Sequence, residues 1–364
     1  MINCLLSSFT ILIMLLYINW MLRLVRGWKK GSAAAVPKAD DEPLVSVVVC
    51  FHNEEKRLAP LLKALAQQNY QRVEYVFVDD QSTDRTYSML SGFAAGRSNA
   101  VVVRSFERGK KKALRQGVSH ATGELILTTD ADCRPGRDWI ATMVHYFSST
   151  RADLLIGAVR IAPVPGFPGK LQQLEFATLV ASGMASAAVG RPFMANGANL
   201  AVRRSVFAEL SHRLNDAELS GDDVFLLHAV KRNKGKIVPV FSSDAMVETE
   251  GVGSLSAFFR QRLRWASKSP SYRDTEILFT QALVSSVNLL MLLWCVLPHT
   301  AWPVFVLAVT SKLSVDCLFV SRFRHFFNIP DSPGLVAALF AGYPFYVLIT
   351  AVSVLLAGRG RRQW

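Results

Sequence analysis

Acidic side chains stand in groups just after apolar runs, and that pattern is the chain's main chemical signal. Asp130 and Asp132 follow the run LILTT, Asp79 and Asp80 follow VEYVFV, and Glu54 and Glu55 come soon after VSVVVCF. Charge beside buried strands is costly unless it has a partner. Two carboxylates one residue apart in an extended loop can share one hard divalent cation, Mg2+ or Mn2+. That cation can bridge diphosphate oxygens and neutralise a leaving phosphate. Helix capping is the competing account. It explains Ser82, Thr83, Asp84 and Glu55 well, but not paired acids directly after apolar strands. The run Arg108-Gly109-Lys110-Lys111-Lys112 either meets phosphates or is a solvated charge run. Asp222 and Asp223 either cap a helix running through Lys231 or supply a site carboxylate. Neither G-x-G-x-x-G nor G-x-x-x-x-G-K-[ST] occurs, which removes the chief support for dinucleotide and P-loop nucleotide binding.

These positions make sense on a sheet. Short β-branched apolar runs predict strands at 45–51, 73–78, 100–103 and 125–129. Between them lie helical patterns at 55–68, with Leu58, Leu61, Leu62 and Leu65 on one face, at 84–95 behind a Ser82-Thr83 cap, and at 110–121. Regular alternation with near-continuous apolar strands argues an α/β domain whose mostly parallel sheet is covered by helices. Ligands in such sheets bind outside the carboxyl ends of the strands, where the acids stand.

The chain has 364 residues, 41 Lys+Arg against 28 Asp+Glu and a net charge of +13, yet only 19% are charged and 51% are hydrophobic. So apolar a chain is not intrinsically disordered. Cys4, Cys50, Cys133, Cys295 and Cys317 are odd in number and far apart, without C-x-x-C spacing, which excludes a disulfide scaffold and a zinc finger. Residues 2–24 are long and apolar enough to cross about 30 Å of hydrocarbon. The charges of Arg23, Arg26, Lys29 and Lys30 follow this stretch instead of preceding it, which favours an uncleaved anchor over a signal peptide; Trp20 and Trp28 suit the membrane interface. Three more apolar stretches lie at 277–297, 302–320 and 335–356. The positive-inside rule puts the basic 321–325 connection in the cytoplasm and the nearly uncharged 298–303 connection outside. Three complete spans would then leave Arg359, Arg361 and Arg362 outside, so the last segment reads either as a full span or as one broken or re-entrant at Pro344. The expected organisation is an anchor at 1–30, a linker at 31–42 and a cytoplasmic domain at 43–250. An amphipathic interfacial segment at 251–275, about three transmembrane segments within 276–358 and a basic tail at 359–364 complete it.

VSVVVCFHNEE, VFVDDQSTD, ERGKKKALRQG, TTDADC, NGANLAVRR, SGDD and Q-R-L-R-W occur in the order expected for family-two inverting nucleotide-sugar glycosyltransferases. From Val45 to Trp265 the chain resembles the membrane-embedded members: cellulose, hyaluronan and poly-N-acetylglucosamine synthases and ceramide glucosyltransferase. The resemblance implies a Rossmann-like A-type glycosyltransferase domain with transmembrane helices at both ends. It implies that Glu54 and Asp80, with Asp79 beside them, hold the nucleoside, that Lys110 lies near the nucleotide, and that Asp130 and Asp132 contact nucleotide and metal. Asp222 would be the general base, with Asp223 the alternative because Gly221 replaces the usual Glu or Thr. Gln261, Arg264 and Trp265 match Q-x-x-R-W, which lines the acceptor and diphosphate region. Arg115 stands where Asn is common.

The chemistry agrees with these roles. An inverting transfer needs one base to deprotonate the acceptor hydroxyl as it attacks the anomeric carbon, while metal and cations stabilise the departing diphosphate. The expected partners are a nucleotide-diphosphate sugar donor, a glycan or lipid acceptor and membrane lipids. The positive charge suits an anionic cytoplasmic membrane surface and a diphosphate, not nucleic acid. Residues 258–265 also read as an amphipathic helix lying on that surface. A metal-dependent nucleotidyl or phosphoryl transferase on the same sheet would account for D-x-D and Lys110 but not for Asp222 with Q-x-x-R-W. A scaffold without activity predicts eroded acids, and none is eroded.

Overall fold

A computed structural model describes residues 2–35, 41–213, 221–296 and 302–357. Part of the expected linker, the 298–303 connection up to residue 301 and the basic tail at 359–364 lie outside the described residues. In chain order the first half comprises α1 (Ile2–Ala33), β1 (Val45–Phe51), α2 (Leu58–Ala66), β2 (Val73–Asp79), α3 (Thr86–Ala94), β3 (Ala100–Arg104), α4 (Lys110–His120), β4 (Leu125–Thr128), β5 (Cys133–Pro135), α5 (Trp139–Thr150), β6 (Leu154–Ile156), β7 (Val159–Ile161) and α6 (Gly166–Ala188). After it come β8 (Leu200–Arg203), α7 (Arg204–Leu210), α8 (Asp222–Arg232), β9 (Ile237–Pro239), β10 (Val247–Thr249), α9 (Leu255–Ala266), α10 (Thr275–Val296), α11 (Trp302–Phe323) and α12 (Pro333–Ala357). The chain divides into two compact units, one of Met1–Lys29, Pro163–Arg191 and Gly251–Trp364, the other of Lys30–Ala162 and Pro192–Glu250. The segment Pro163–Arg191 falls inside the stretch read from the sequence as one cytoplasmic domain.

The second unit is α/β. Its seven-stranded sheet has the order β3-β2-β1-β4-β8-β6-β9. β3, β2, β1 and β4 are mutually parallel, β8 runs antiparallel between β4 and β6, and β9 pairs parallel with β6. β1 is almost wholly buried, which explains why Val45–Phe51 reads as an unbroken apolar run instead of alternating. The chain leaves β3 and returns on the far side of β1 as β4, so the order reverses between β1 and β4; such a reversal opens a crevice at the strand carboxyl ends. Gly117 of α4 lets that helix lie on the sheet, since a Cβ there would sit 2.5 Å from a Val48 methyl. A second sheet, β5-β10-β7, is built from three-residue strands too short to leave a pattern in the sequence.

The other unit is helical. α1, α10, α11 and α12 are long and apolar enough to cross a membrane. α12 continues through Pro344 as one helix and packs on α10, α6 and α9. Trp20 and Trp28 are buried against other helices: Trp20 meets Phe279 edge-on, and Trp28 is ringed by Phe323, Phe326 and Phe327. Their rings fill gaps between helices, where large aromatic surfaces contribute most. Within the apolar stretch of α11, Lys312 is buried and pairs with Asp316 at 2.6 Å, and the Tyr17 hydroxyl of α1 donates to the same carboxylate at 2.6 Å.

Candidate active site

β4 ends at Thr128, and the chain turns through Asp130 and Asp132 into β5. The carboxylate oxygens of these two residues and the Cys133 sulfur all lie within 4.8 Å of one another. Carboxylates at that spacing suit a hard divalent cation. The thiol does not: it is buried, its pKa is pushed well up by burial and then by the two Asp charges, and it lies 3.6 Å from Asp132 Oδ1. The set therefore fits Mg2+ or Mn2+ through its oxygens. Lys110, the first residue of α4, donates to Asp130 Oδ1 at 2.6 Å and lies 3.7 Å from Asp222 Oδ2. One ammonium thus holds two carboxylates from opposite ends of the sheet's sequence. Burial alone would lower the Lys110 pKa, but Asp130 and Asp222 outweigh it and hold it well above the usual value.

The loops after β1 and β2 are stapled to each other. Asn53 N–H donates to Ser82 Oγ at 3.0 Å, Thr83 N–H to Asn53 Oδ1 at 2.8 Å, and Glu55 N–H to Asp84 Oδ2 at 3.2 Å. Ser82 and Thr83 were expected to cap the next helix. Instead Arg85 holds the cap position, without a side-chain bond, because those side chains are spent on the neighbouring loop. Asp79 is fully buried: its Oδ2 accepts from Ser82 N–H and Arg104 Nε, and its Oδ1 has no hydrogen-bond partner. Asp80 accepts from the Gly109 N–H with both oxygens, at 2.9 and 3.0 Å. Gly109 has φ +126, a region L side chains rarely adopt, and the contact fixes the turn that launches Lys110. Glu54 pairs with Arg57 at 2.8 Å, and the same guanidinium approaches Asp132 at 3.9 Å. Sequence reasoning missed Arg57, although its i,i+3 spacing from Glu54 was available as a signal. His52, directly after β1, has its Nδ1 2.7 Å from the Asp80 carbonyl and its Nε2 facing Arg108 at 3.2 Å.

Asp222 and Asp223 form the first turn of α8, behind Gly221 in the left-handed region with φ +85. Gly221 holds the cap position without a side-chain bond, and of the two acids only Asp223 satisfies an N–H of the helix's first turn, so the capping account holds for Asp223 and not for Asp222. They divide their work. Asp223 accepts from the Val224 N–H at 2.8 Å and the Gly197 N–H at 2.9 Å, tying α8 to the Asn196-Gly197 loop, whereas Asp222 faces Lys110. A left-handed φ at position 221 suits glycine, not the Glu or Thr that the resemblance leads one to expect. Asn199 of the same loop is buried and accepts from Trp139 Nε1 while donating to the Ala158 and Ala245 carbonyls, so its part is structural. Arg115, the unexplained departure, donates through Nε to the Ser211 carbonyl at 3.1 Å.

Gln261, Arg264 and Trp265 lie on α9, in the helical unit. Arg264 is exposed. Arg262 is the buried arginine: it pairs with Glu175 of α6, donates to Gln261 Oε1 at 2.6 Å and lies over the Trp265 ring at 4.3 Å.

A mostly parallel sheet with helices on it and acids gathered at its carboxyl edge defines an A-type glycosyltransferase domain. Residues 46–211 match the Glycosyl transferase family 2 model, and the chain contains a domain of that family. A beta-monoglucosyldiacylglycerol synthase of Nostoc sp. strain PCC 7120 is 28% identical over 284 residues, which are 74% of this chain and 59% of the relative. A poly-beta-1,6-N-acetyl-D-glucosamine synthase of Staphylococcus epidermidis is 25% identical over 137 residues, 37% of this chain and 33% of that one. The chain thus matches less than two thirds of the length of either relative. Among solved structures, the mannosyltransferase PcManGT of Pyrobaculum calidifontis, in complex with GDP-Man and Mn2+, superposes with a TM-score of 0.58. It has 19% identity and covers 97% of this chain and 99% of its own, which shows a shared fold.

Proposed function

We propose that the protein is a membrane-embedded inverting glycosyltransferase that moves a sugar from a nucleotide-diphosphate sugar to a glycolipid or glycan acceptor. The observation that carries this reading is the Asp130–Lys110–Asp222 cluster at the carboxyl edge of a family-two sheet. Asp130 and Asp132 would hold a divalent cation, which supplies charge neutralisation at the departing diphosphate. Lys110 adds a second positive charge for the diphosphate. Glu54, Asp79 and Asp80 lie on the loops after β1 and β2 and would hold the nucleoside, with Asp80 also fixing the turn at Gly109. Asp222 is the base: it takes the proton of the acceptor hydroxyl as that oxygen bonds to the anomeric carbon and the bond to the diphosphate breaks, inverting the centre. Asp223 has both oxygens engaged by backbone N–H groups and holds α8 in place.

The four apolar helices support residence in a membrane, which we take to be the cytoplasmic membrane with the sheet unit on the cytoplasmic side. The glycolipid and polysaccharide synthases among the relatives support an acceptor of one of those two kinds. The test is a screen of UDP- and GDP-sugars with the detergent-purified protein and Mn2+ or Mg2+. Metal-dependent release of nucleoside diphosphate is expected, together with a product of inverted anomeric configuration by NMR. Release of monophosphate or pyrophosphate would favour a nucleotidyl transferase, and no release at all would overturn enzymatic function.

A further inference from the structure

We propose that Lys110 is an exchange arm that couples donor binding to Asp222, an inference resting on the function proposed above. Its Nζ donates to Asp130 Oδ1 at 2.6 Å and stands 3.7 Å from Asp222 Oδ2. The Lys110 and Asp130 side chains are 30% and 37% exposed, whereas Asp222 is only 11% exposed. The Lys110 and Asp130 side chains are thus more open to solvent than the Asp222 side chain that the same ammonium contacts. A lysine ammonium is one compact charge with three donors on a flexible stem. It cannot serve two carboxylates and an incoming diphosphate with full strength at once. A divalent cation on Asp130 and Asp132 takes over the Asp130 charge and repels the ammonium. The diphosphate then offers a denser set of acceptor oxygens within reach of the same stem.

Lys110 changes partners, and the Asp222 carboxylate is left without the cation that covered it. Breaking a mostly buried ion pair on one side is strongly unfavourable, so the exposed carboxylate gains a reason to accept a hydrogen bond from an acceptor hydroxyl. Donor and metal therefore enter first, and the acceptor is favoured second. Because the coupling is an equilibrium property, it is reciprocal. Whatever holds Lys110 on Asp222 must weaken diphosphate binding.

The exchange is read by calorimetry with Mn2+ and UDP or GDP on the detergent-purified full chain. Asp222→Asn releases the arm, so nucleoside diphosphate affinity should rise by about 5-fold or more, the low end of typical coupling between sites. Removing a negative charge would tighten an anion by itself, so the deciding comparison is the same substitution in a Lys110→Met background. There the gain should shrink to that direct charge effect alone. In a Lys110→Arg background, which keeps a cation on a long stem, it should persist. Lys110→Gln takes the place of Lys110→Met if the latter does not give folded protein by circular dichroism. An equal gain with and without the lysine overturns the exchange, as does an affinity unchanged by Asp222→Asn. If the unaltered chain binds neither diphosphate, the glycosyltransferase reading itself fails.

Discussion

Glu54, Asp130 and Asp132 crowd one side of the crevice, and the crowding has a cost. Burial and then the Asp130 charge raise the Asp132 carboxyl above its usual value; burial, and after it the Asp132 charge, raises Glu54 despite Arg57. The ionised acids therefore oppose folding slightly until a cation joins them. Asp132→Asn should leave the metal-free protein as stable as before or slightly more so. Mn2+ should raise the melting temperature of the unaltered protein by several degrees, since a ligand at about 100 times its Kd contributes about 2.7 kcal/mol. The variant should show little or no such shift by scanning fluorimetry. A normal shift in Asp132→Asn would remove that residue from the cation site. The D-x-D pair was legible because two acids after an apolar run contradict the chemistry of a core. The Asp222–Lys110 contact was not, because its partners are over a hundred residues apart and nothing local marks the pairing.

At the scale of elements, what was legible followed burial. β1 has the bounds its apolar run predicts, and β2 and β4 agree to within a residue, because strands buried on both faces leave continuous runs. At the start of α3 the capping reading holds for Asp84, which accepts from the Thr86 N–H, and fails for Ser82 and Thr83, whose partner is a loop about thirty residues away and outside any local window. The opposite edge of the sheet makes a prediction of its own. Glu74, at the start of β2, accepts from Ser46 Oγ and from the Thr122 and Gly123 N–H groups, and its pKa is lowered. Burial would raise it, but the hydrogen bonds outweigh burial. Its stabilisation is therefore complete above the ordinary value of 4.5 and is lost as pH falls through the lower folded value. Glu74→Gln should cost about 1–2 kcal/mol near neutrality and flatten the acid limb of a stability–pH curve. Because this residue sits at the amino end of its strand, transfer activity at saturating donor should change little. A steep acid limb retained by the variant would show that other groups govern it.

For the whole molecule, α1 is more than a tether. Tyr17 donates to Asp316 of α11, Trp294 of α10 donates to Thr10, and a Cβ at Gly27 would lie 2.2 Å from the Ala185 carbonyl of α6. Removing residues 1–30 should leave the chain in the membrane, because α10, α11 and α12 remain long and apolar enough to span. It should also lower the melting temperature in detergent, because buried groups on α10 and α11 lose their partners. Truncated, folded protein in the soluble fraction would show that the later helices do not span. Gly27→Val should reproduce the loss of stability without shortening the chain, since backbone faces that position.

The same Tyr17–Asp316 contact sets a clock on biosynthesis. Its two ends are 299 residues apart, which a ribosome making about 5–20 residues per second covers in roughly 15–60 s. Through that interval α1, set in a bilayer as proposed, waits with its phenol unanswered while the entire sheet unit is made. Lys312 and Asp316 reach the bilayer together, one turn apart, so each enters beside its own counter-charge. A nascent chain stalled before α11 would hold the first helix but lack the carboxylate that ties it into the helical unit.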